Sequence, residues 1–306
     1  MTDAVRQVDP VLPPLALVGF GDIARRIVRQ ARARTPDRAI LSLSRQLPGS
    51  GFDGILGHRL DLDDPGLTLP VDLHGTCLIH LAPPAANGDD DPRTRRLISA
   101  IEAQGRYPAR VIYISTTGVY GDCKGAWVDE THPLNPANPR SRRRMSAESQ
   151  WRQSCSRWSV PLVILRVPGI FACERLNLTR VLQQMPVVCP DEAAFSNRIH
   201  AEDLAEVCLR LSEADAPVGI FNIADDQPSS MTDYVWQLAD HFGVPRSPCR
   251  PKAEVMAGAS PMLREFLGES KRVRNDKLKT MLGWQPRWPT LASALRDCAQ
   301  DLQTPT

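Results

Sequence analysis

The chain carries no charge excess of either sign: 37 Lys and Arg stand against 35 Asp and Glu, a net +2 at pH 7. That balance gives no reason to expect nucleic acid or a membrane surface as the main partner. No apolar run approaches the ~20 residues of a membrane span. The opening M-T-D-A-V-R-Q-V-D-P lacks the apolar core of a secretory leader, so a cytoplasmic location is expected. There is no C-x-x-C and no His pair at ligand spacing, so no metal site is expected. The eight cysteines, at 77, 123, 155, 173, 189, 208, 249 and 298, stand singly and read as reduced thiols. Internal repeats and low-complexity blocks are absent as well.

What remains is an ordinary globular composition, 42% hydrophobic and 24% charged over 306 residues, enough for one large domain or two smaller ones. Proline is plentiful and concentrates in apparent loops such as 133–139 and 245–251. The organising stretch is Leu15 to Ala24, L-A-L-V-G-F-G-D-I-A. Leu15 to Val18 fits a buried strand. Gly19, Gly21 and Ala24 then fit G-x-G-x-x-G/A, the turn that brings a dinucleotide pyrophosphate onto a helix N-terminus. Gly19 permits the tight turn, Gly21 lets backbone approach phosphate, and Ala24 lets the helix pack closely. The first helical N–H groups and the helix dipole favour an anion there. Taken alone, the three small residues fit a plain turn equally well.

The rest of the chain supplies the context. Residues 1–14 look like an extended lead-in ending in P-V-L-P-P. Ile23, Ala24, Ile27, Val28 and Ala31 form one apolar helical face, and Thr35-Pro36 ends the helix. Ala39 to Leu43 is a second strand with Ser44-Arg45 at its end, where this fold meets the adenosine ribose. An acid at that place binds the 2′-OH of NAD, whereas Arg accommodates a 2′-phosphate, so NADP is favoured over NAD. A solvated loop arginine is the alternative. His58 to Leu62 is a short apolar stretch, and Asp61 is placed to reach an adenine amino group or to make a turn. Thr76 to Leu81 reads as the next strand, stopped by Ala82-Pro83-Pro84. Arg95 to Ala103 is helical, Arg110 to Ile114 is a strand, and a helix follows from about Arg140 to Glu148. Leu162 to Val167 is a further strand, closed by Pro168-Gly169-Ile170. The alternation of strand and helix predicts a doubly wound parallel sheet of about seven strands.

Six motifs then occur in order: the glycine turn, S-T-T-G-V-Y-G-D at 115–122, L-R-V-P-G-I-F at 165–171, R-I-H-A-E-D-L-A at 198–205, F-N-I-A-D at 221–225 and L-G-W-x-P at 282–286. Together, over residues 15 to 290, they resemble the extended or atypical short-chain dehydrogenase/reductase superfamily, the NAD(P)-dependent epimerase/dehydratase type. The glycine spacing is closer to the atypical members. The resemblance implies an α/β Rossmann domain, a smaller mixed C-terminal substrate domain, and a cleft between them. The Rossmann part would take residues 15–170 and 200–225, the substrate part 171–199 and 226–306. It also implies cofactor contacts from Gly19, Gly21, Asp22 and Ile23; from Ser44, Arg45, Asp61 and Leu62; from Leu81, Ala82 and Pro83; and from Ser115, Arg144, Pro168, Gly169 and Ile170.

In the family a Ser or Thr ends the fifth strand and a Tyr-x-x-x-Lys lies on the next helix. Thr116 matches the first position. The Tyr-x-x-x-Lys is missing: the flanking Pro139 and Glu148 put Arg140 at the Tyr place and Arg144 at the Lys place. A guanidinium at 144 can still donate to the nicotinamide ribose. Arg140 cannot shuttle protons, because it stays charged. Tyr120 is the nearest substitute acid in sequence, or else a packed aromatic of the V-Y-G turn. The catalytic candidates are therefore Thr116, Tyr120, Arg140 and Arg144. Two cleft arginines would suit an anionic small-molecule substrate, and a homodimer is kept open. His200 is expected to be structural, Arg198 beside it could reach the cleft, and Arg175 is a weak phosphate candidate. Two functions remain: an NADP-favouring oxidoreductase or epimerase/dehydratase-like protein, and a non-catalytic NADP(H) sensor.

Overall fold

The computed structural model describes residues 12–176 and 178–298. Most of the expected lead-in, residues 1–11, and the tail 299–306 lie outside the described residues. Seven parallel strands make the central sheet: β1 (Leu15–Val18), β2 (Ile40–Ser44), β3 (Ile55–Arg59), β4 (Cys77–His80), β5 (Arg110–Thr116), β6 (Leu162–Val167) and β7 (Gly219–Asn222). Their order is β7-β6-β5-β4-β1-β2-β3. The chain starts in the middle at β1, runs to one edge, then crosses to β4 and proceeds to the other. Ligands of such sheets bind beyond the carboxyl ends of the strands at that reversal, here between β1 and β4.

Side-chain alternation sorts β1 between two layers. Leu15 and Leu17 pack with Ala24 and Ile27 of α1 (Asp22–Arg34) and, across the same layer, with Leu204 and Val207. Ala16 and Val18 face the other side, with Leu97 and Ile101 of α2 (Pro92–Gln104) and Ala147 and Trp151 of α3 (Pro139–Trp158). Leu204 and Val207 belong to α4 (Ala201–Arg210), which lies against α1. A further cluster under the C-terminal part gathers Phe171, Val235, Leu238, Trp288 and Leu291, with Val235 and Leu238 on α5 (Met231–His241).

Element boundaries moved for physical reasons. The α3 helix is 20 residues long, more than twice the expected span. Asn138 caps it by accepting from Ser141 N–H at 2.8 Å, and Pro139 opens it. Its buried stripe of Ala147, Trp151 and Cys155 continues the helix past Glu148 in a segment otherwise too polar to show a clear period. In α2, Asp91 accepts from Arg93 N–H and starts the helix three residues earlier than its apolar face suggests. The β3 strand sits at 55–59 because Ile55 to Arg59 pairs with Ile40 to Ser44.

Short strand pairs knit the later segments together. Gly169–Phe171 pairs with Arg198–His200, Val187–Val188 with Cys249–Arg250, and Trp127–Val128 with Arg272–Val273. One expectation is overturned here. Cys173 and Cys298 form a disulfide across 125 residues, so these two thiols are not reduced; six other cysteines are free. The sequence carries no hint of the pair, because only the fold brings the segment after Gly169–Phe171 beside the residues that follow the helix Leu291–Leu295.

Candidate functional site

The glycine turn is built as its residue types require. Gly19 has φ +93°, and a Cβ there would stand 2.7 Å from the Ala82 nitrogen, so no side chain fits between β1 and the end of β4. Around Gly21 there is open space, with nothing within 4 Å of a built Cβ. Gly21 is also the N-cap of α1, and no side chain caps the helix. Its first N–H groups are left for another acceptor. Asp22, in that first turn, is turned aside. Burial opposes its charge, but the hydrogen bond and charge of Arg26, helped by Arg175, hold its carboxyl below the ordinary range.

A cleft of about 690 Å³ opens at this turn, at the sheet's reversal point. The fold brings nine of the predicted cofactor residues to its wall: Gly19, Gly21, Ser44, Arg45, Asp61, Leu62, Leu81, Ala82 and Pro83. Arg45 is exposed and makes no hydrogen bond or ion pair among the described residues. Sequence reading missed Phe20 and Arg93. Arg93 holds Asp63 at 2.7 Å and the carbonyls of Pro83 and Pro84 at 3.1 and 3.2 Å, which fixes one wall of the cleft. Its signal was the Asp-Pro start of α2, which aims the first helical turn at the cleft.

A second cavity of about 220 Å³ lies beyond the end of β5 and brings together Thr116, Arg140, Pro168 and Gly169. Thr116 Oγ1 accepts from Gly118 N–H at 3.2 Å, which leaves its own proton free to be donated. Arg140 is exposed on the first turn of α3 and has no partner among the described residues. Arg144, one helical turn on, is drawn the other way. Its Nη1 donates to Ile114 O at 2.6 Å and to Tyr113 Oη at 3.2 Å, and it lines neither cavity.

Besides Arg144, five predicted site residues line neither cavity: Asp22, held by Arg26 and Arg175; Ile23 and Ile170, packed against the core; and Ser115 and Tyr120. Ser115 is buried and donates to Glu148, whose carboxylate is bound by Arg166. Tyr120 is 1% exposed; it donates to Asn222 Oδ1 at 2.7 Å and accepts from Arg166 at 3.1 Å. Burial pushes its hydroxyl up to about 12. It is the packed aromatic of the V-Y-G turn, outside both cavities. Tyr113 is buried too, and burial also raises it to about 12. His80, just before Leu81, accepts from Trp151 Nε1 at 3.1 Å; burial, then the Arg144 charge, lowers it to about 3 and keeps it neutral. His200 caps α4 and packs its ring, tilted, against Trp288, Arg198 is buried against Ser229 and Ser230, and Arg175 pairs with Asp22.

Lys271 and Glu269, unremarked in the sequence, line the small cavity as a pair at 2.6 Å, and Asn138 donates to Glu269 at 3.2 Å. The pair is local, two positions apart, but nothing local places it in this cavity, since Glu269 lies 131 residues from Asn138.

Comparison with known proteins agrees with this architecture. Residues 92–224 match the NAD dependent epimerase/dehydratase family. A dTDP-D-glucose 4,6-dehydratase of Mus musculus is 23% identical over 188 residues, 59% of this chain and 52% of that protein. The chain thus spans about half the length of the curated relatives it matches. A conserved protein of unknown function from Silicibacter pomeroyi superposes with a TM-score of 0.77 at 31% identity, over 93% of this chain and 97% of that one. The NAD complex of a dTDP-glucose 4,6-dehydratase from Bacillus anthracis superposes at 0.71 with 15% identity, over 93% and 94%, a likeness of fold.

Proposed function

Because the chain belongs to the short-chain dehydrogenase/reductase superfamily, of the NAD-dependent epimerase/dehydratase type, we propose that it is an NADP-preferring oxidoreductase acting on a small carbonyl compound. The observation that carries the cofactor preference is Arg45. It follows directly on β2, lines the large cleft, and offers an uncommitted guanidinium where a 2′-phosphate would lie. The residues present fit a dinucleotide: Gly19 clears the turn, Gly21 leaves space, and the uncapped start of α1 offers N–H donors. When bound, the nicotinamide would supply or accept the hydride.

The protein's own part is orientation. Thr116 keeps its proton and donates a hydrogen bond from its hydroxyl to the substrate oxygen, and so polarises the carbonyl. Arg140 holds substrate charge and moves no proton. Arg144 fixes the end of β5 through the Ile114 carbonyl and thereby the place of Thr116.

One observation favours a second reading, a non-catalytic NADP(H) sensor. Neither cavity is lined by a tyrosine, so the family's usual proton carrier has no replacement of its own kind there.

Fluorescence titration with NADPH and NADH tests the cofactor assignment. NADPH is expected to bind at least tenfold more tightly, and Arg45→Ala to abolish that margin. Equal affinities in the parent protein would overturn it. NADPH oxidation across a panel of aldehydes and ketones, with Thr116→Ala as control, separates enzyme from sensor.

A further inference from the structure

The small cavity beside Thr116 has walls that do not match one another. Phe195 and Phe266 line it and are 39% and 41% exposed as residues, with the Arg272 guanidinium over one face of Phe195. Large rings left open to water in a concave site are complementary to an apolar ligand group. Arg140 lines the same cavity and has no partner among the described residues. The other cation there, Lys271, is already neutralised by Glu269. Thr116 keeps a free hydroxyl proton.

These three features face one space of about 220 Å³, below the roughly 300 Å³ at which ordinary ligand pockets begin. A nucleoside diphosphate sugar, with two sugar rings, a base and a pyrophosphate, would extend well beyond it into solvent. A compact molecule with three functions fits.

The geometry points to a 2-oxo carboxylate bearing an aromatic or bulky apolar side chain as the substrate class, its carboxylate on Arg140, its carbonyl on Thr116 and its side chain between Phe195 and Phe266. This rests on the reading that the cavity is where a carbonyl meets the nicotinamide. Arginine matches a carboxylate with two parallel N–H donors, which fixes the carbonyl beside it. Glu265 also lines the cavity, exposed on the helix Pro261–Gly268 that carries Phe266. Its charge is screened by water at that rim, and it makes an amino acid the natural competitor of an oxo acid.

Isothermal titration of the full chain saturated with NADP+, which cannot reduce a ketone, tests the assignment. Phenylpyruvate is compared with pyruvate, acetophenone, phenylalanine and UDP-glucose. Phenylpyruvate is expected to bind at least tenfold more tightly than each. Arg140→Met should bring it down to acetophenone, and Phe266→Ala down to pyruvate. Both side chains are exposed, and unchanged thermal unfolding of the variants confirms that folding is intact. Absent saturation by phenylpyruvate, tighter binding of phenylalanine or UDP-glucose, or an Arg140→Met variant that binds like the parent overturns the assignment. NADP+ is titrated first: failure there strikes the cofactor reading, whereas NADP+ binding without phenylpyruvate binding strikes the substrate class alone.

Discussion

Arg166 grips Glu148 with two hydrogen bonds, Nε at 3.2 Å and Nη2 at 2.9 Å, and both side chains are 2% exposed. The same carboxylate takes the Ser115 hydroxyl, and the same guanidinium reaches Tyr120. This pair clamps α3 to β5 and β6 directly behind Thr116. Glu148→Gln keeps the shape but leaves Arg166 as an uncompensated buried charge. A loss of about 3–5 kcal/mol in urea unfolding is expected. Replacing both partners by apolar residues should recover much of that loss, which a double-mutant cycle measures.

Gly19→Ala forces a left-handed backbone onto a side chain that has no room beside Ala82. The strain amounts to about 1–3 kcal/mol, and the turn must shift to relieve it. NADPH affinity is expected to fall more than tenfold, read by fluorescence titration. Gly21→Ala meets no protein atom, so its effect should fall on nucleotide binding with stability unchanged.

Asp225 sets a pH dependence. Burial, against the opposing charge of Arg198, raises its carboxyl to about 7, with Asp226 and Asp203 adding to the rise. In the unfolded chain it titrates near 4. Between those values the folded state holds the extra proton, so this stabilisation is full below about pH 4 and is lost as pH rises to about 7. His200, lowered to about 4 chiefly by burial, acts in the opposite sense between pH 4 and 6.5. Asp225→Asn removes the carboxyl's share. Its unfolding free energy at pH 8 relative to pH 5 should improve on that of the parent by on the order of 3 kcal/mol. An unchanged pH profile in denaturant titrations would refute this.

The Cys173–Cys298 bond closes a long loop around the later segments. Chain-entropy reasoning gives about 2–5 kcal/mol for such a link. Dithiothreitol is expected to lower the parent's Tm by several degrees and to leave Cys298→Ser untouched. Thiol titration of the denatured, unreduced protein should find six free groups. Eight would show that the bond does not form.

Local signals were readable in advance. The glycine turn, Ser44-Arg45 and the Ala82-Pro83 stop each lie at a strand end, where periodicity and turn chemistry are encoded by neighbours in sequence. The small cavity was half legible: Thr116 and Arg140 were placed by spacing, but Phe195, Phe266, Glu269 and Lys271 carry no local mark. Arg144 illustrates the difference. Its spacing put it on the helix face of Arg140, yet the Ile114 carbonyl draws its guanidinium inward.

The sequence by itself determined the α/β alternation, the nucleotide turn and the loss of Tyr-x-x-x-Lys, since these are matters of residue type and short spacing. Tertiary structure decided what the polar side chains do. It withdrew Ser115 and Tyr120 into the Arg166 network, joined Cys173 to Cys298, and left Arg45 and Arg140 uncommitted. A buried polar group must find a partner or be neutralised, and which partner it meets depends on how distant segments pack.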